Sequence, residues 1–190
     1  MTTAITFISA AATRVGQNPV TSIGPDTIIG RVAGETYEEL VRAELASYRW
    51  KWATKTVVLA AIDGDTELPW TYVYQLPTDV MLLRTVKADG AVVDYELMGT
   101  KILTNASTDQ EVIAHYTYRP VEAFWPPFFA EYITRKLEAL FLRAIGERYQ
   151  EADAREKMAE IQLRKAKLLD SQSQPATDPV VSTVLVARRG

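Results

Sequence analysis

The sequence predicts an α+β protein: a helical bundle with an inserted small antiparallel β-sheet domain and an extended C-terminal tail. Three observations lead there. Apolar residues recur at spacings of three and four on both sides of a central stretch. That stretch, 54–118, breaks instead into short β-rich runs parted by turn residues. After Asp170 a polar linker leads to a valine-rich end. The chain has 190 residues, 47% hydrophobic and 24% charged, which suits one globular unit of about 150 to 170 ordered residues or one core with two lobes. The expected division is N-terminal helices over 1–53, a β-sheet domain over 54–119, C-terminal helices completing the bundle over 120–170, and the tail over 171–190.

Thr2 or Thr3 can cap a short helix with Ile5, Ile8, Ala12 and Val15 on one face and Gly16 as its stop. The loop Gln17 to Pro25 is rich in turn formers, and Asp26 is a fair N-cap for a second helix. Ile29, Ala33, Tyr37, Val41, Leu45, Tyr48 and Trp52 then form a helical stripe. Gly30 and Gly34 weaken its first turns, so the helix is expected over Glu35 to Arg49. It runs into the aromatic cluster Tyr48, Trp50 and Trp52. Because rings bury large apolar areas, this cluster is expected to be the hinge of the core.

Strands are expected at Thr56–Leu59, Tyr72–Tyr74, Val80–Val86, Val92–Leu97, Lys101–Thr104 and Glu111–Tyr118, joined in one small sheet. Asp89-Gly90 reads as a tight hairpin turn. Pro126-Pro127 opens the next helix, with Ala130, Ile133, Leu137, Leu140, Phe141 and Ala144 on its apolar face and a break at Gly146. A last, mostly polar helix is expected from about Gln150 to Leu169. Glu151/Arg155, Asp153/Lys157 and Glu160/Arg164 are spaced as i,i+4 ion pairs worth ~0.2–0.5 kcal/mol each. Its few apolar positions, Ala154, Met158, Ile161 and Leu168, imply one packed flank or contact with identical helices in an oligomer. Val180, Val181, Val184, Leu185 and Val186 have strand propensity but no partner nearby in sequence. Such a segment suits β-augmentation of another chain's sheet edge.

Few residues offer chemistry. There is no cysteine, which excludes disulfides and thiolate chemistry and is compatible with a reducing cytoplasm. His115, the one histidine, sits in a strand pattern and reads as structural. Asp63, Asp65 and Glu67 alternate, but the calcium-loop pattern is incomplete, so they read as an acidic hairpin turn. No phosphate-binding glycine loop or nucleophile elbow is present. No catalytic, metal or cofactor site is expected. Phe124, Trp125, Phe128 and Phe129 read as core first and interface second. Arg188 and Arg189 read as a contact to an acidic patch on a partner. Net charge is −3 with a pI near 5.3, unlike a protein that grips nucleic acid with a basic face. No apolar run reaches the ~20 residues of a membrane span, and nothing resembles a signal peptide.

Several of these segments resemble one family. Tyr48-Arg49-Trp50-Lys51-Trp52-Ala53, followed by Trp70-Thr71-Tyr72-Val73-Tyr74-Gln75-Leu76-Pro77-Thr78-Asp79, is similar to the head–tail adaptor (connector) proteins of tailed bacteriophages. These include tail-tubular and head-completion adaptors and the related adaptors of gene transfer agents. Val15 to Ser22, Trp125-Pro126-Pro127-Phe128-Phe129-Ala130 and the helix Tyr132 to Ile145 extend the likeness over roughly residues 5 to 170. Tyr48, Trp50, Trp52, Trp70, Tyr72, Tyr74, Pro77, Trp125 and Pro127 are its scaffold residues.

The resemblance implies a non-enzymatic virion protein at the head–tail neck, made in the host cytoplasm. It implies a homo-oligomeric ring, dodecameric in the family, docked below the portal protein and above a tail tube or nozzle protein. Double-stranded DNA would pass through the lumen without specific binding. The portal-binding residues are then expected in the tail, at Val180, Val181, Val184, Leu185, Val186, Arg188 and Arg189. The alternatives are a virion-associated hydrolase, which would need a pocket of convergent titratable groups, and a small nucleic-acid-binding protein using the last helix.

Overall fold

The first helix, α1 (Ala4–Arg14), begins where Thr3 closes a capping box: its backbone N–H donates to Thr6 Oγ1 at 3.3 Å. Helix α2 (Ile28–Ser47) starts seven residues earlier than Glu35, because Thr27 rather than Asp26 caps it and accepts from the Gly30 N–H at 2.9 Å. Gly30 has a packing reason to be glycine. A Cβ there would sit 2.7 Å from the Gly24 carbonyl oxygen. The computed structural model describes residues 2–64, 66, 69–146 and 148–173. The expected C-terminal strand, with Val180 to Arg189, lies outside the described residues. No described helix is long and apolar enough to cross a membrane.

Eight strands come after α2 in sequence, β1 (Thr54–Val58), β2 (Ala60–Ile62), β3 (Tyr72–Gln75), β4 (Leu82–Ala88), β5 (Ala91–Val92), β6 (Tyr95–Met98), β7 (Lys101–Thr104) and β8 (Val112–Thr117). The expected hairpin is present: Ala88 pairs with Ala91 across Asp89 and Gly90, which have φ of 48° and 83°. The single sheet expected is instead two antiparallel sheets of four strands, ordered β1-β8-β4-β5 and β2-β3-β7-β6. One β-prone run feeds both. It leaves the first sheet at Val58 and enters the second at Ala60, while the Leu59 N–H donates to Val112 O at 2.8 Å. The expected strand Val92–Leu97 is likewise divided between β5 and β6, one in each sheet. Inner-face residues Tyr74, Ile102, Val86, Ala114 and Tyr116 share one apolar cluster with Leu59, as in a sandwich. On the outer face of the second sheet Val73 and Leu103 are also buried. Gly64 lies against Val73, and the Trp70 indole N–H bonds Glu96 at 2.7 Å.

Helices α3 (Pro127–Ile145) and α4 (Tyr149–Gln172) complete an α+β body of four helices and two small sheets. Pro127 occupies the first turn of α3, and Gly146 ends it at a φ of 82°. Phe129 is the hub of the helical core. Its ring lies 5.0 Å from Trp50, 4.8 Å from Trp52 and 5.1 Å from Trp125, distances at which aromatic pairs attract. Phe7 of α1 stacks on Trp125 at 5.2 Å.

Helix α4 differs from expectation in which face it buries. Ala152, Ala159 and Ala166 are fully buried, whereas Met158, Ile161 and Leu168 are 50%, 66% and 57% exposed. The alanines recur every seven residues and let α4 approach α3 closely. The polar side chains beside them are spent between helices. Arg155 reaches Glu138 of α3 at 3.1 Å, Glu156 reaches Lys136 at 2.7 Å, and Asp153 reaches Arg143 at 3.2 Å. Among the described residues none of the three expected i,i+4 pairs forms. An i,i+4 pair on an exposed face gains only tenths of a kcal/mol, so partners on a packed neighbour win. Glu138 is 1% exposed and is held from both sides, by Arg155 and by Arg14 of α1 at 3.1 Å.

Helices and sheets are joined at a bulge. The pairing of β4 with β8 slips between Leu83 and Thr85, leaving Arg84 as the extra residue. Its guanidinium turns to α2 and donates to Ala46 O and Tyr48 O, both at 3.1 Å, and to Thr117 Oγ1 at 2.9 Å. A cation on the last carbonyls of a helix offsets the negative end of its dipole.

Candidate functional site

Of the scaffold residues named from the sequence, Tyr48 lies at this joint, and Trp50, Trp52 and Trp125 pack in the helical core. After α2 the chain alternates aromatic and basic side chains, extended at Tyr48 and Trp50 and then turning through a short 3-10 helix, Lys51–Ala53. Trp50 is fully buried and donates from Nε1 to Glu44 O at 2.9 Å. Tyr48 packs edge-on against it at 4.9 Å. Trp52 joins the same core, with its buried Nε1 meeting no acceptor among the described residues. Trp125 is buried and donates to Pro120 O at 3.0 Å, under the Arg119 guanidinium at 5.2 Å. Pro127 is exposed at the start of α3.

The other scaffold residues belong to the sheets. Tyr74 is buried and its hydroxyl donates to Ala106 O and Ser107 O. Tyr72 and Trp70 are half-buried, and so is Pro77, which turns the chain towards Asp79. Asp79 is the working residue of the Leu-Pro-x-Asp turn. It accepts from Lys55 Nζ of β1 at 2.6 Å and from the Tyr116 hydroxyl of β8 at 2.9 Å. The Lys55 bond, aided by that of Tyr116, holds the Asp79 carboxyl below its ordinary value against a smaller opposing effect of burial. Burial and the Asp79 charge push the Tyr116 hydroxyl up to about 12. These bonds tie β1 and β8 to the turn before β4.

Surfaces that could meet partners lie elsewhere. The positions Ala154, Met158, Ile161 and Leu168, expected either to pack or to meet identical helices, are exposed, and Met158 meets α3 through Arg135 at its sulfur, 3.9 Å away. Other exposed apolar residues lie on the strands that end the two sheets, Val92 of β5 at 69% and, on opposite sides of β6, Leu97 and Met98 at 55% and 41%. Of the set Phe124, Trp125, Phe128 and Phe129, the first is 75% exposed and the others pack in the helical core. Isolated exposed apolar residues are ordinary; three of them along one packed helix make a candidate contact surface.

His115 is half-buried in β8, where its Nδ1 lies 3.0 Å from Thr56 Oγ1. Burial, then Lys87 and Arg49, lower its pKa. Asp63 stands exposed at the end of β2, and its expected companions Asp65 and Glu67 lie outside the described residues. Among the described residues no three His, Asp or Glu side chains are grouped to hold a metal ion. Sequence reasoning missed Glu138, because nothing in a helical pattern marks one glutamate of many as buried. It also missed Arg49 and Lys51 as a basic pair, although their alternation with the rings was visible. No protein-family pattern matches the chain, and comparison with curated proteins finds no match.

Proposed function

We propose that the protein is a structural head–tail adaptor of a tailed bacteriophage, a bundle with an inserted sheet domain that assembles into a ring below the portal. The observation that carries self-assembly is the stripe of Met158, Ile161 and Leu168, left in solvent on a helix whose opposite face is fully packed. In a cyclic ring each contact is heterologous, so a subunit needs two different faces. The α4 stripe offers one such face, and the sheet edges that carry Val92 and Leu97 offer candidates for the other. The resemblance at Tyr48 to Ala53 and Trp70 to Asp79 supplies the kind of ring.

In this reading the ring extends the DNA channel, attaches a tail tube or nozzle protein and helps retain the packaged genome at the virion neck. The tail from Val180 to Arg189 adds a strand to the portal, whose sheet edge it orders upon. Deleting residues 175–190 is then expected to leave a folded protein that no longer binds portal in a pull-down. Docking at full affinity by the truncated chain would refute that role for the tail. The bore is expected to be neutral to acidic; a continuous arginine lining in an electron-microscopy map would refute a conduit through which DNA slides.

A further inference from the structure

We propose that the groove between the end of α2 and the outer face of the first sheet binds a phosphate-class oxyanion. The groove, of about 610 Å³, is lined by Tyr48, Arg49, Lys51, Thr54, Thr56 and His115. Its walls come from the helix end, from β1 at the edge of the sheet, and from β8. Thr56 and His115 are register partners on one face, and Thr85 pairs with His115 from the other side. Lys87, two residues on from Thr85, shares that face. Arg84 stands behind, held by neutral oxygens alone.

What sets the groove apart is its unbalanced charge. Arg49, Lys51, Arg84, Lys87 and His115 make no ion pair with a carboxylate among the described residues, although nine other lysines and arginines do. The chain as a whole is acidic, at −3. The carboxylate beside the groove is Asp170 of α4, fully buried and turned to the Lys51 backbone N–H at 3.1 and 3.2 Å. Lys167 lies over the Tyr48 ring at 5.2 Å and adds a further cation on that side. Burial first, and then the neighbouring charges of Lys87 and Arg49, lower the His115 pKa, and burial and then Arg49 lower that of Arg84. A bound oxyanion turns the repulsion among these charges into attraction.

The donors suit phosphate. Arg49 offers a planar fork for two oxygens, and Lys51 a point charge whose Nζ otherwise meets the Ser171 carbonyl at 2.7 Å. When the Thr56 hydroxyl donates to His115 Nδ1, the ring proton sits on Nε2, where it can donate to an anion. Phosphate of this kind is carried by a nucleic-acid backbone or as a free ion, and the groove chemistry is the same for both.

The single histidine gives a clean test. The His115 imidazole resonance is followed by NMR through a pH titration, with inorganic phosphate, with a short DNA duplex, and with sodium chloride or acetate at matched ionic strength. The expected result is a saturable phosphate-dependent shift that raises the His115 titration midpoint, because a nearby anion favours the imidazolium. In R49Q or K51Q, checked for native circular dichroism, binding weakens by roughly tenfold or more, as expected for loss of a charge-assisted hydrogen bond. K157Q, on exposed α4 surface, should bind like the parent. Competition by the duplex assigns the site to backbone phosphate; saturation by phosphate without it assigns a free ion. No saturable shift, or one that chloride or acetate reproduces, overturns the proposal. The outcome is independent of whether the protein forms a ring.

Discussion

Trp50 and Trp52 stand two residues apart and fill one core, yet only the Trp50 indole N–H has an acceptor, at Glu44 O. Trp50→Phe forfeits that bond, although the Ser47 hydroxyl still donates to the same carbonyl at 2.9 Å. Trp52→Phe removes a donor that had no partner. In urea unfolding, Trp50→Phe is expected to cost about 1 kcal/mol more than Trp52→Phe; equal costs would contradict the assignment. Asp79 invites a test by acid. Its folded pKa lies below that of the unfolded chain, so it contributes stability above the unfolded value of about 3.9. That contribution is lost as pH falls through the lower folded value. Asp79→Asn should therefore flatten the acid limb of stability against pH below about pH 4. Because Asp79 and Lys55 are 42% and 45% exposed, the loss at neutral pH stays under about 1 kcal/mol. The importance of these residues was legible because rings and a proline turn announce themselves. Which indole is satisfied, and what Asp79 holds, depend on Glu44, Lys55 and Tyr116, brought together by folding.

At the scale of elements, α4 shows where pattern reading goes astray. Leucine, isoleucine and methionine outweigh alanine on any apolar scale, so the stripe through Met158 and Ile161 reads as either a packed flank or a contact with identical helices. Only the first is excluded by its exposure. Three alanines seven residues apart make the packed flank, since close helix approach selects for small size. Ala159→Leu should then overpack the α3–α4 contact and cost about 1–3 kcal/mol. Met158→Ser with Ile161→Ser should leave monomer stability within about 0.5 kcal/mol while abolishing self-association in sedimentation. Loss of Arg14 or Arg155 alone leaves Glu138 one partner. The double change Arg14→Gln with Arg155→Gln strands a buried carboxylate, with an expected loss of about 3–5 kcal/mol by thermal unfolding. Helix α2 was legible except for its first turns, where Gly30 counted against a helix. Its close approach to Gly24 O explains it, so Gly30→Ala should destabilise despite the better propensity of alanine, by about 1 kcal/mol.

For the whole molecule, the mixture of helix and sheet was legible in the change of period near Thr54, and the hairpin at Asp89-Gly90 in its turn chemistry. The division into two sheets was not, since pairing β1 with β8 joins residues such as Thr56 and His115 that lie far apart in sequence. Nor was the bulge that sends Arg84 into the end of α2. These long-range features fix how the sheets stand on the helices, and so where the exposed apolar residues of α4 and of the sheet edges lie. The central claim is that those surfaces close a ring on a portal. Electron microscopy of the protein with and without its portal protein tests it most directly. The expected result is a closed ring seated on the portal, with the Met158, Ile161 and Leu168 stripe of each copy against its neighbour. A protein that stays single beside the portal, or a ring that leaves this stripe in solvent, would contradict it.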